Sequence, residues 1–309
     1  MGILKGSNKY YYDYHVSDIV ASNLRDRIEY GLIEMGAYTT VAFSHNTSGY
    51  TNLQKYSDTV YEGLGPSWVW QSGVTTHASA DAIVIPSGVW INDTFYDTAT
   101  TSGVYEHHID YRNGRVVFAN SLSSADTVAC EYTFNDVGVY LGDSEQWKIV
   151  INDLIPMFNQ MGDNTPSGLA SYLKERRVWM PSIFIDVYNR TDNPAELGSS
   201  AQLAEIQVFY NVIANRPFDC NTLTDIIHNQ KEDAVDLFNP NLAPTPLGFD
   251  GSLQSNAITY KDLASRQGAY YWRTGFIGQS RLRNVYNIEN LFTSELVQLL
   301  TIEYYTPQI

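Results

Sequence analysis

The sequence predicts an α+β fold in three parts: an N-terminal segment and helix over 1–36, an antiparallel β-sandwich-like domain over 37–142, and a mixed unit over 143–309. Three observations carry this. Apolar residues recur at helical spacing early in the chain. Turn-forming residues then punctuate alternating runs about every eight to a dozen positions. After residue 144 helical periods return between longer apolar runs. A length of 309 residues suits two domains of roughly 150 residues each.

The first helix is expected over 17–35. Ser17 suits the N-cap, Asp18 the first turn and Gly36 the C′ stop. Ile19, Val20, Leu24, Ile28, Leu32 and Met35 share one face, and Arg25, Asp26, Arg27 and Glu29 face away. In the β-rich stretch, Asn113-Gly114 between 108–112 and 115–118 predicts a hairpin with a two-residue type I′ turn, because Asn-Gly tolerates positive φ at both positions. Residues 89–96, centred on Asn92-Asp93, read as another hairpin. Residues 127–134 read as one strand with Val128, Cys130, Tyr132 and Phe134 on a single face.

A helix is expected from Ser144 through Val150, Leu154 and Phe158, kinked or stopped at Pro156, then a shorter one over 169–177. From there to the end the chain reads as an α/β or α+β unit. Residues 178–188 form an apolar strand with Pro181 at a start, edge or bulge, and 202–214 a long strand. A helix then runs from Asn221 or Thr222 through Phe238. Residues 239–255 form a long Pro/Gly loop, of the kind that is usually functional. Strands over 269–277 and 296–304 close the chain.

Composition narrows function. The chain has 34 acidic against 19 basic residues, a net charge of −15, so a basic footprint for gripping phosphate is disfavoured. Twenty-three tyrosines and few charges suit strand-rich surfaces that meet other proteins, although β-propensity also favours tyrosine. Cys130 and Cys220 are far apart and support neither a zinc site nor a disulfide framework. No signal-peptide run opens the sequence and no stretch approaches 18 apolar residues, so a cytoplasmic start is expected. The sequons at Asn46, Asn92 and Asn189 are then chance.

Motifs for nucleotide, hydrolase or zinc-protease chemistry are absent: there is no GxGxxG after a strand, no P-loop, no GxSxG and no HExxH. Of six histidines only His107 and His108 are adjacent, and strand neighbours point to opposite faces. Asp186, Asp192 and Glu196 bracket a loop, but a glycosidase-like pair needs a defined separation. The expectation is a protein that is not an enzyme and holds no cofactor or metal. Aromatic clusters at Trp68, Trp70, Tyr270, Tyr271 and Trp272, with Tyr304 and Tyr305 near the C-terminus, are candidate interface residues; stacking on sugars is the alternative use.

The second half also carries a resemblance. Its order is a helix over 144–161, the strand RRVWMPSIFIDV, the loop NPAELG, the long strand AEIQVFYNVIA, the helix TLTDIIHNQKEDAVDLF and late strands. This resembles the tail-terminator and neck proteins of tailed bacteriophages, α/β subunits of a hexameric ring that caps the tail tube and joins it to the head connector. The resemblance covers 144–309 and rests on pattern. It implies an α/β domain of tail-terminator fold, self-association, contacts with connector, tube, sheath or collar, location in the virion after assembly in the host cytoplasm, and DNA passing without specific binding. The β-rich stretch departs from the minimal family and would be an added domain, or mark a collar, baseplate, fibre or carbohydrate-binding component instead. A ring of six chains at −15 each would carry about −90 and repel the DNA backbone. Asp225, Glu232, Asp233 and Asp236 are its candidate lumen-facing acids. The loop 239–255 and the strand 296–304 are candidate arms for strand pairing between subunits. A hydrolase with an unrecognised carboxylate pair is a third reading.

Overall fold

The structure is a computed structural model that describes residues 16–42, 52–74, 82–98, 102–150, 178–195, 201–240, 242–265, 269–288 and 291–305. It is a mixed α+β fold in which strands predominate. In chain order the elements are α1 (Val16–Glu34), β1 (Tyr38–Val41), β2 (Gln54–Lys55), β3 (Val60–Glu62), β4 (Gly88–Ile91) and β5 (Thr94–Asp97). Then come β6 (His107–Asp110), β7 (Arg115–Phe118), β8 (Val128–Ala129), β9 (Tyr132–Asn135), β10 (Gly138–Leu141) and α2 (Glu145–Ile149). The chain continues with β11 (Ser182–Pro194), β12 (Ala201–Ala214), α3 (Pro217–His228), β13 (Ala234–Phe238), α4 (Tyr260–Ser265), β14 (Tyr271–Ile288) and β15 (Leu291–Tyr305).

Two compact units divide the chain, one of Met1–Glu29, Val139–Ala243 and Asp262–Ile309, the other of Tyr30–Gly138 and Pro244–Lys261. The predicted boundaries shift accordingly. Most of the loop 239–255, read as part of the second half, belongs with the β-rich unit.

The first unit is built on a six-stranded sheet in the order β10-β11-β12-β15-β14-β13. Its long pairings, β11–β12, β12–β15, β14–β15 and β13–β14, are all antiparallel, so the unit is α+β in character. Alternation on β12 puts Ala204, Ile206, Val208, Tyr210 and Val212 on one buried face, opposite Ile302, Leu300, Gln298, Leu296 and Ser294 of β15. Helix α3 packs on that face. Its Leu223 and Ile227 are buried, the Ile227 carbonyl accepts from Gln298 Nε2 at 2.7 Å, and the hydroxyls of Thr224 and Ser294 share a hydrogen bond. The other face is closed at one end by Phe184, Ile213 and Leu291, packed with Tyr140, Trp147 and Val150.

Two expectations change in this unit. The helix expected through Phe238 stops at His228, because Asn229 caps it, Glu232 takes φ +66° and Val235 and Leu237 alternate inward on β13. It starts earlier than expected because Pro217 occupies the first turn, where its missing N–H costs nothing. The C-terminal strand cannot be an arm. β15 lies between β12 and β14 and is hydrogen-bonded on both sides. The helix from Ser144 is present as α2, capped by Ser144 Oγ accepting from Trp147 N at 3.2 Å. Its continuation and the helix over 169–177 lie outside the described residues.

Helix α1 lies within one residue of its expected span. Ser17 falls inside it rather than at the N-cap, and Met35, expected on its apolar face, lies beyond it and is exposed. It ends as the sequence suggests. Gly36 has φ +89°, with Gly36 N donating to Ile33 O and Ala37 N to Leu32 O, both at 2.9 Å.

Among its described residues the second unit holds three small antiparallel sheets, β1-β9, β2-β3-β7-β6 and β5-β4-β8. Trp68 is buried and stacks on Tyr132, centroids 4.1 Å apart. Both predicted hairpins exist, but the two-residue turn expected at Asn113-Gly114 is found at Asn92-Asp93 instead. Asn92 and Asp93 have φ of 48° and 64°, the two-residue loop that a type I′ turn requires. β6 and β7 pair Asp110 with Arg115, which leaves a four-residue loop in which Gly114 alone takes positive φ. Asp110 stretches this loop by accepting from Asn113 N at 3.0 Å and Asn113 Nδ2 at 2.7 Å. The Tyr111 carbonyl meanwhile accepts from Trp68 N at 2.7 Å. The strand expected over 127–134 is two pieces, because at Cys130 the side chain of Asn52, not a strand, pairs with the backbone.

Candidate interaction surfaces

The four candidate lumen acids share no helix face. Asp225 is exposed on α3, and Glu232 is exposed in the turn before β13, its N–H donating to Ile277 O at 2.7 Å. Asp233 pairs with Arg27 and accepts from Ala234 N at 3.0 Å. Asp236, on β13, accepts from Thr274 Oγ1 at 2.8 Å. Two of the four therefore tie the unit together, and an ion pair this exposed contributes little.

The aromatic candidates separate in the same way. Trp68 and Trp272 are buried at 2 % and 7 % exposure and serve the cores of their units. Trp70 and Tyr270 are half-buried. Tyr271 is exposed and its hydroxyl shares a hydrogen bond with Thr274 Oγ1 at 2.9 Å. Tyr304 and Tyr305 sit on the last residues of β15, opposite Gln202 and Ala201.

The part of the loop from Pro244 onward, which belongs with the β-rich unit, is folded back on itself. Leu247 and Leu253 form a bridge, Gly248 N donates to Ser252 O at 2.8 Å, and Gly251 O accepts from Tyr111 N at 3.1 Å. Asp250 Oδ1 accepts from Ser252 N and Oγ at 3.1 and 2.6 Å, which lowers its pKa. On this braced turn Phe249 stands fully exposed, a residue that nothing in the loop's composition singles out.

Among the described residues His108 Nε2 lies 3.9 Å from Asp250 Oδ2, both side chains exposed to solvent. Asp186 and Asp192 stand on one strand, roughly 20 Å apart at strand rise, well beyond the spacing of a glycosidase pair. Asp192 is engaged by Arg190 Nε at 2.7 Å, and Glu196 lies outside the described residues. Burial raises the Cys130 thiol and pushes Tyr111 up to about 12. Among the described residues no group of three or more His, Cys, Asp or Glu could hold a metal ion, and no helix is long and apolar enough to cross a membrane.

Charge differs between strand β14 and the β11–β12 hairpin, although β13 beyond β14 carries Asp236 and Arg283 of β14 pairs with Glu295 of β15 at 2.9 Å. β14 carries Arg273, Arg281 and Arg283 with no acid. The β11–β12 hairpin carries Asp186, Asp192 and Glu205 against Arg190. The signal that could have revealed it is the basic run itself, which stands out in a chain of net charge −15.

Compared with known protein-family models and curated proteins, the chain matches none.

Proposed function

We propose that this chain is a structural virion protein of the phage neck. Copies assemble as a ring that completes the tail tube and joins it to the head connector. The observation that supports this best is the long-stranded sheet of the first unit. Strand β11, long strand β12, helix α3 and the late strands β14 and β15 form one body, in the order on which the resemblance to tail-terminator proteins rests. A frame of strands this long suits a protein that works by shape and association. In the ring, Asp225 and Glu232 are the acids whose exposure suits a lumen that repels passing DNA.

The carbohydrate-binding reading keeps only part of its aromatic set, since Trp68 and Trp272 are buried while Trp70 is half-buried and Tyr271 exposed. Native mass spectrometry of the full chain separates the readings. A hexamer or another closed ring supports the neck role, a trimer points to a fibre component, and a monomer that binds glycans overturns the proposal. Imaging of labelled virions then locates the chain at the neck or elsewhere.

A further inference from the structure

The six-stranded sheet ends unevenly. At one edge β13 pairs with β14 only as far as Phe276, and the last links are Ile277 N to Asp233 O at 2.9 Å and Glu232 N to Ile277 O at 2.7 Å. β14 runs on to Ile288, paired with β15 on its other side. Among the described residues no strand follows β13 along 278–288. At the opposite edge, four-residue β10 lies beside thirteen-residue β11, near its start: Gly142 N donates to Ile185 O at 2.8 Å and Tyr140 stacks on Phe184.

The two overhangs lie at opposite ends of the sheet. Pro194 of β11 is level with Gln202 of β12, whose neighbour is Tyr304 at the finish of β15. Ile288 of β14 is level with Leu291, where β15 starts. The antiparallel steps from β11 through β12 and β15 to β14 also make β11 and β14 antiparallel. A second copy laid edge to edge, displaced along the strands, would therefore continue the sheet in the antiparallel sense.

We propose that the overhang of β14 pairs, through residues 279–282, with the overhang of β11 in a second copy of this chain, so that copies join head to tail. The inference rests on the ring reading and names its interface. A head-to-tail contact uses two different patches and forms a ring where its rotation closes, and stagger between paired strands tilts them as closure requires. In the β11 stretch Arg190 and Asp192 balance each other, so the exposed Arg281 of β14 meets a hairpin whose remaining charges are Asp186 and Glu205. Bulges at Val187/Asn189, Ile277/Gln279 and Leu282/Asn284, together with Pro194, are devices that discourage indiscriminate edge pairing. They confine the contact to the stretches between them, 279–282 on β14 and 189–193 on β11.

The test is a double variant, Thr191→Cys with Gln279→Cys, in the full chain. Both native cysteines are buried, and β12 and β15 separate the new pair within one copy by roughly 14 Å, too far for a disulfide. Oxidation should give a ladder of cross-linked species ending at the ring's subunit number, and each single variant no band above dimer. Arg281→Glu, at an exposed position, should keep the far-UV circular dichroism and weaken assembly about tenfold. Rings that form without a ladder overturn this interface and leave the ring reading standing. A chain that stays monomeric at every soluble concentration overturns both.

Discussion

Asn23 and Asn52 each offer one side-chain amide to both backbone groups of a single distant residue. Asn23 Oδ1 accepts from Phe238 N and its Nδ2 donates to Phe238 O, both at 2.8 Å; Asn52 does the same for Cys130. Each amide replaces one rung of a missing strand, so a buried N–H and C=O stay paired. Glycine does different work at Gly114, where φ is +62° and an added Cβ would lie 2.2 Å from Gly65 O and 2.7 Å from Trp68 Nε1. Gly114→Ala should cost about 2–4 kcal/mol, combining left-handed strain with displacement of the Trp68 loop. Urea unfolding followed by tryptophan fluorescence measures it, and an unchanged midpoint would refute the close approach. His107 sets a pH dependence. Its Nδ1–H donates to Tyr105 O at 2.9 Å, its Nε2 is buried without a partner, and burial lowers its pKa below the ordinary 6.5, with His108 adding to the shift and Asp97 opposing it. The unfolded chain then binds the proton more readily, so stability falls as pH drops through 6.5. His107→Gln should flatten that part of the urea-midpoint profile, and an unaltered slope would assign it to other groups.

At the level of elements, the edge strand β13 depends on α1. Its last residue, Phe238, sits at a register shift against β14, and its other side is closed by Asn23, itself buried. Asn23→Ala removes the side-chain partner of Phe238 N and O and should cost about 2–4 kcal/mol. Hydrogen exchange should then show the Phe238 amide losing protection before those in the middle of β12. Equal protection in the variant would mean that α1 does not close the edge. The same contact shows what the sequence could reveal. Helix α1, the long strand β12 and both hairpins were legible because their signals are local: a helical period, strict alternation, paired turn residues. The end of α3 was not, because the acids and apolar residues of 228–238 fit a helical face and an alternating strand equally, and pairing with β14 decides between them. The central place of β15 was equally hidden, since alternation identifies a strand and not its neighbours. Of the candidate site, the acids were legible as charges. That Asp233 answers Arg27 depends on a contact across more than two hundred positions, which spacing cannot show.

For the whole molecule, assembly must contend with charge. Each copy carries −15, and two such charges roughly 40 Å apart in water repel by roughly 20 kcal/mol without screening. The attraction of Arg281 for an acidic hairpin is a contact effect, on the order of 1 kcal/mol for exposed groups. Salt weakens both, but unequally. The Debye length is about 8 Å at 0.15 M, so whole-subunit repulsion is largely removed while groups in contact keep part of their attraction. Assembly of this chain should therefore strengthen as salt rises from about 0.05 to about 0.5 M, the reverse of an association held by a few surface ion pairs. Sedimentation velocity at fixed protein concentration measures it, expecting the ring fraction to grow with salt. A ring fraction that shrinks would mean that localised ion pairs, more numerous than the one at Arg281, outweigh the net charge. In Arg281→Glu the salt response should steepen, because repulsion then acts at the contact as well as between whole subunits.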